Sequence, residues 1–378
     1  MSQPAGRRRA GAPPTPPTGT ELPVLEPDAD PEPSERGPER RTPTDRLVAF
    51  GETRVPLVGW LVIVVASVAA LVCAMVPVGP DWLGDAGSVA VVSAFSWALA
   101  ARTGGRPLIF GTVALLLGVG VVVSDETSLR TGAAVMTAVV AAVLGVMATV
   151  PAVTFWRAAR ECVVALLIAG VGALATLGFE PTVTVTRFEY TTFGLALAAA
   201  FAVVYRLGAG LHGLGRRGVV IVVIGGLLLA GTLLYAELLR RYGTPELVTS
   251  LLDGVGWSRE HLGAFPRPIE SVLGVPALAY GCHMRARRRQ GWWVCAFGAA
   301  ATSAVANSLA NPAIARSESV LSVVYGLGVG LVIGFVIIRL DLFFTSSGPT
   351  KGSRGRRSRD DEQAAAIRPE PARWKALL

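Results

Sequence analysis

Charge is scarce along most of this chain. Only 16% of its 378 residues are Asp, Glu, Lys or Arg, where a soluble domain carries nearer a quarter. The deficit is local. Charged residues crowd into residues 1–54 and 339–378 and into short breaks between apolar runs. Lysine is almost missing, with Lys351 and Lys375 the only two, and histidine is limited to His212, His261 and His283. These shortages exclude most site chemistry. There is no H-E-x-x-H, no Walker loop, no dinucleotide fingerprint, no zinc-ligand spacing and no Ser-His-Asp order. No catalytic set, metal or cofactor is therefore assigned, and the chain reads as non-enzymatic. Cysteine is equally sparse: Cys73 lies inside an apolar run, and Cys162, Cys282 and Cys295 lie near basic run ends. They read as small apolar fillers rather than disulfide partners.

The excess is apolar. Hydrophobic residues make up 52% of the chain, and they fill whole segments rather than one face of each. A membrane span needs about 20 mostly apolar residues. Runs of that kind lie near 56–77, 87–101, 107–124, 132–151, 159–179, 190–207, 218–239, 269–284, 291–311 and 319–340. Backbone groups in lipid must bond within their own segment, so the runs are read as helices. The alternation every second residue that a barrel needs is absent. The expectation is an all-α, polytopic integral membrane bundle of about ten transmembrane helices. The run at 87–101, diluted by Ser88, Ser93 and Ser96, is its weakest member. The first run is too long for a signal-peptide core and is expected to serve as the insertion signal.

Arginine sets the direction. Counted from a cytoplasmic N-terminus, the inner loops hold Arg102 and Arg106, then Arg157 and Arg160, then Arg206, Arg216 and Arg217, then Arg285 and Arg287–Arg289. The outer loops hold only Arg130, Arg187 and Arg316, and carry Asp81, Asp85, Asp125, Glu126, Glu180, Glu189 and Glu318. This is the positive-inside pattern, and it places both termini in the cytoplasm. The net charge of +8 is thus placed for anionic lipid headgroups at the cytoplasmic face rather than for nucleic acid. Arg-for-Lys usage with abundant Ala, Val and Gly points to a high-GC bacterial source and a bacterial plasma membrane.

Three regions follow. Residues 1–54 form a Pro- and Arg-rich cytoplasmic tail expected to stay disordered. Residues 55–344 form the transmembrane domain. Residues 345–378 form a second basic tail, ending in the apolar-basic hexamer Arg373–Leu378. One long outer loop, 240–268, contains Thr244-Pro245-Glu246, which reads as a helix start. Leu247, Val248, Leu251, Leu252 and Val255 follow at helical spacing, predicting an amphipathic helix at the outer interface that ends at Gly254 and Gly256.

Few residues inside the runs invite function. Ser303, Asn307 and Asn311 recur every four positions, as a helix-contact stripe or as one wall of a polar cavity. Gly326, Gly330 and Gly334 make a repeated G-x-x-x-G, a close-packing face within the chain or between protomers of a homo-oligomer. Arg267, between two prolines, and Glu270 are candidates for an anion contact at the outer surface, or for an ion pair with each other. Near the run ends, Arg157–Glu161 and Glu237–Arg241 have the i, i+4 spacing of helix ion pairs. Asp81 and Asp85, flanking Trp82 in the first outer loop, resemble the loop acid of polytopic glycosyltransferases that use polyprenyl-phosphate donors. That resemblance implies a catalytic carboxylate there. The function expected first is the movement or accommodation of a small or lipidic solute. A scaffold or accessory subunit of cell-envelope assembly, with an envelope protein partner, is the alternative. A lipid-linked glycosyltransferase is third.

Overall fold

The computed structural model describes residues 55–76, 78–182, 184–207, 215–287 and 291–346. Both tails, the hexamer Arg373–Leu378 and residues 288–290 lie outside the described residues, as do the side chains of Glu237 and Arg241. Among the described residues every regular element is a helix. The helices are α1 (Val55–Met75), α2 (Leu83–Arg102), α3 (Pro107–Ser124), α4 (Thr127–Met147), α5 (Phe155–Gly178), α6 (Val185–Arg206), α7 (Gly215–Tyr242) and α8 (Pro245–Leu262). A π-helical turn over Ile269–Gly274 leads into α9 (Val275–Arg285), followed by α10 (Gly291–Ala296), α11 (Ala299–Leu309) and α12 (Arg316–Ser346).

Seven of these, α1 to α6 and α12, are long and apolar enough to cross a membrane. The 87–101 run is among them, extended to 20 residues by a first turn from Leu83. Large apolar side chains face outward: Leu108, Leu116, Leu117 and Val123 of α3 are 66–78% exposed. The interior is built instead from small residues, among them Ala138, Ala142, Ala165, Ala169, Ala196, Ala200, Ala299 and Ala301. Water would penalise that exposed surface heavily. Lipid does not, and close contact between small residues is how helices associate there. The fold thus fits a multi-pass membrane protein.

The runs at 269–284 and 291–311 are not continuous α-helices. Pro276 removes the N–H that would bond Val272 and crowds that carbonyl. The chain responds by widening to a π turn over Ile269–Gly274. The second run breaks at Phe297-Gly298, where Gly298 N–H donates to Cys295 O and Ala301 N–H to Gly298 O, a tighter i to i−3 pattern. Most of each break is buried, Glu270, Ser271, Leu273 and Gly274 in the first and Phe297 and Gly298 in the second, which suits irregular backbone in a membrane protein. The two segments approach so closely that a Cβ on Gly274 would stand 2.7 Å from Ala301 Cβ, and one on Gly281 would stand 2.7 Å from Cys295 N.

α8 corrects a boundary. It runs through Gly254 and Gly256 to Leu262 and stops at Gly263, whose φ of +78° suits glycine. Each internal glycine costs only about 1 kcal/mol, which the rest of the helix offsets. Leu251, Leu252, Trp257 and Leu262 are 45–64% exposed, an apolar surface suited to a membrane interface.

Candidate functional site

Polar contacts sort the loops into two ends. At one end, Arg130 Nη1 and Nη2 donate to Asp85 Oδ1 and Oδ2 at 2.8 and 3.1 Å, and Arg130 Nε donates to Asp125. Arg267 pairs with Glu189 at 3.3 Å, and Arg259 with Glu318 at 2.9 Å. At the other end, Arg102 and Arg285 grip one loop. Arg102 Nε donates to Met147 O at 2.8 Å, while Arg285 donates to Thr149 Oγ1 at 2.8 Å and Thr149 O at 3.0 Å. Ala152 N–H donates to Cys282 O. Glu161, fully buried, accepts from Arg160 at 3.0 Å and from Val150 N–H at 3.1 Å. Arg157, the partner expected from spacing, is exposed. Glu161 lies on the buried face with Ala158 and Cys162, so it takes the donors available there.

Two cavities share the wall formed by α1, α2, α4 and α5. The first, about 780 Å³, is polar and opens at the Arg130 end; Asp81, Trp82, Asp85, Arg130, Glu180 and Arg316 line it, over Leu71, Ala74 and Met75. Glu180 is held at φ +49°, a left-handed backbone costing about 1–2 kcal/mol for a residue with a Cβ. The second, about 340 Å³, is apolar; its walls are Trp60, Leu61, Val64, Phe95, Ile168 and Val171, with Arg102 at one edge. From Trp60 to Leu71 along α1 is roughly 16 Å at 1.5 Å per residue, so the two cavities follow one another along the same helix. Between them Gly178 lets α5 meet α1 and α2, since a Cβ there would stand 2.6 Å from Leu71 Cδ2.

No match was found when the chain was compared with known protein families, curated proteins and solved structures. Its function is therefore argued from its own residues.

Ser303 is buried and donates to Ala299 O in its own helix at 2.6 Å. Asn307 is buried against α6, where Thr192 Oγ1 donates to its Oδ1 at 2.6 Å and its Nδ2 donates to Glu189 O at 3.5 Å. Asn311 accepts from Ala313 N–H and shapes the turn into α12. This stripe makes local and interhelical bonds and lines neither cavity. The glycine face is covered within the chain. Gly326 faces Glu270, Gly330 faces Val275, and Gly334 faces Ala279 and Pro276.

Arg267 and Glu270 are not paired with each other. Arg267 is committed to Glu189. Glu270 is fully buried, and neither carboxylate oxygen has a hydrogen-bond partner among the described residues. His283, also buried, has neither ring nitrogen partnered among the described residues. Sequence spacing did not single out Asp85–Arg130 or Arg285–Thr149. Both join residues far apart along the chain; Asp85 and Arg130 at least lie in loops assigned to one side, whereas Thr149 reads as the end of the 132–151 run.

Proposed function

We propose that the chain accommodates or moves a lipidic solute in a bacterial plasma membrane. It crosses that membrane about ten times, with both termini cytoplasmic. The count is supported by the two-ended sorting of polar contacts. Among the described residues, loops that follow odd-numbered runs meet at one end, around Arg130, Glu189 and Glu318, and those that follow the second, fourth and eighth runs meet at the other, around Thr149. Alternate passes, including both interrupted segments, account for that sorting. The arginine asymmetry supports placing the Thr149 end inside. Exposed Arg106, Arg157, Arg160 and Arg287 there suit anionic headgroups.

The observation that carries the reading is the pair of cavities along α1. A headgroup-sized polar chamber with both signs of charge sits beyond an apolar slot open to chain-like groups. That succession matches an amphiphile. The scaffold alternative loses one of its expected surfaces, because Gly326, Gly330 and Gly334 are covered within the chain. For the glycosyltransferase reading, Asp85 is held by Arg130, which leaves Asp81 as the first-loop acid facing the chamber.

The test is photocrosslinking in nanodiscs with phosphatidylglycerol that carries a diazirine in its acyl chain. Adducts are expected on the peptides holding Trp60–Val64 and Val164–Val171. Val164→Trp with Val171→Trp fills the slot and should lower labelling of the Trp60 peptide at least about tenfold, equivalent to about 1.4 kcal/mol. Unchanged labelling in a folded double variant would sink the reading.

A further inference from the structure

Glu270 stands in a setting that calls for a ligand. It is completely buried, and both oxygens lack any hydrogen-bond donor among the described residues. It sits in the π turn Ile269–Gly274, a form that appears mostly as single turns and often at functional sites. Its carboxyl carbon occupies the space that a side chain on α12 would fill: a Cβ on Gly326 would stand 2.7 Å from Glu270 Cδ and 2.8 Å from Oε1. A bare carboxylate in such a place costs several kcal/mol. Two species relieve that cost, a proton on the carboxyl or a cation seated against it. A metal cation needs several oxygen ligands, and no group of three or more His, Cys, Asp or Glu able to hold a metal occurs among the described residues. A proton needs none.

The charged surroundings add a second element. Arg267 lies three residues before Glu270, in the segment that leads into the π turn, within charge range of two acids. It binds Glu189 at 3.3 Å, with the two side chains 18% and 43% exposed. On α9 the titratable residues, Tyr280, Cys282, His283 and Arg285, begin ten positions beyond Glu270; on the other packed elements the described groups are committed or absent. On α12, Glu318 is bound by Arg259, and Tyr325 donates to Leu262 O. α11 carries no titratable residue. On α7, the side chains of Glu237, Arg240 and Arg241 lie outside the described residues.

We propose that Glu270 is a proton-binding site, and that loss of its proton is answered by transfer of Arg267 from Glu189 to Glu270. The step is a single proton transfer. The Glu270 O–H bond breaks, the proton passes to solvent, and the negative charge left behind is met by the guanidinium. Glu189, half-exposed, is then solvated by water. Because Asn307 Nδ2 donates to Glu189 O and Thr192 joins Asn307, the exchange reaches the α6–α11 contact. The site is independent of the α1 cavities.

The experiment is infrared difference spectroscopy of the full-length protein in nanodiscs, titrated from acid to alkaline pH in sodium-free buffer. A protonated-carboxyl carbonyl band should disappear on alkalisation in the wild type and be absent in Glu270→Gln. Glu189→Gln frees Arg267 to favour ionised Glu270, so the midpoint should move to lower pH by about one unit, a tenfold change in proton affinity. Arg267→Gln should move it the other way. Should Glu270→Gln fail to fold, Glu270→Asp, which shifts the band, assigns it. Three results would overturn the proposal: no titrating band that depends on Glu270, a midpoint unmoved in Glu189→Gln, or a midpoint displaced by sodium at constant ionic strength.

Discussion

Glu270 and Gly326 occupy complementary space: the carboxyl of one fills the volume that the missing side chain of the other leaves, 2.7 Å from where a Cβ would stand. The same α12 face meets Val275 at Gly330, where a Cβ would lie 2.5 Å from Val275 Cβ, and meets Ala279 at Gly334, at 3.2 Å. Gly328, on the opposite side, has nothing within 4 Å. Alanine at these four positions should therefore give a graded series. Gly326→Ala and Gly330→Ala should lose about 1–3 kcal/mol through overpacking. Gly334→Ala should lose less, and Gly328→Ala should stay neutral or gain slightly from helix propensity. Thermal unfolding of the purified protein in one detergent ranks them. Equal losses at all four would mean that α12 does not pack by this face.

Arg285 makes contacts that a lysine cannot reproduce. Two guanidinium nitrogens reach Thr149 Oγ1 and O, and the plane lies 3.5 Å from the centre of the Trp292 ring. A point charge loses the fork and the stacking. Arg285→Lys should cost about 1.5–3 kcal/mol, the range for hydrogen bonds to a charged group, despite the retained charge. Thr149→Val should cost about 1–3 kcal/mol, by leaving a buried donor unmatched. The double variant should cost less than the sum, since both remove the same bond. Additive losses would show that the two residues act separately.

The Asp85–Arg130 pair is the firmest ion pair of the polar chamber. Both side chains are mostly buried, at 20% and 15% exposure, and the contact is bidentate. A surface pair is worth little, but two parallel bonds in a partly dry site hold more strongly. A double-mutant cycle with Asp85→Asn and Arg130→Gln should give a coupling of about 1–2 kcal/mol at low salt, falling as salt rises. A coupling within 0.3 kcal/mol of zero would place the pair among ordinary surface contacts.

Helices could be read from the sequence almost wherever lipid alone dictates them. Residues 107–124, apolar on every side, become α3 with the same limits, because no tertiary neighbour is needed to explain such a run. The arginine bias, likewise local, grouped the loops by side, and Asp85–Arg130, Arg267–Glu189 and Arg259–Glu318 each join loops of one group. What the sequence concealed lies in long-range packing. Glu270 read as a rim residue because its burial depends on Gly326, 56 positions later. The π turn arises from Pro276, which packs against Gly334 of α12, and has no period of its own. Gly254 and Gly256 looked like a helix end, because the stop signal that counts is the left-handed Gly263. The polar stripe was visible as spacing, yet its partner, Thr192, sits in another helix.

The proposed orientation can be tested with the chain's own shortage of reactive thiols. Cys162, Cys282 and Cys295 are fully buried, and Cys73 lies within α1. A membrane-impermeant maleimide should therefore label the native protein weakly. Thr182→Cys adds an exposed thiol between α5 and α6, and Val153→Cys adds one between α4 and α5, where the native side chain is 60% exposed. With the positive end inside, Thr182→Cys should react in intact cells, and Val153→Cys only after permeabilisation. Ala313→Cys, exposed just after α11, extends the test past both interrupted segments and should behave like Thr182→Cys. If it labels like Val153→Cys instead, one of those segments does not cross, and the ten-span reading fails between Pro268 and Asn311. Reversal of all three would leave the count intact and invert the protein in the membrane.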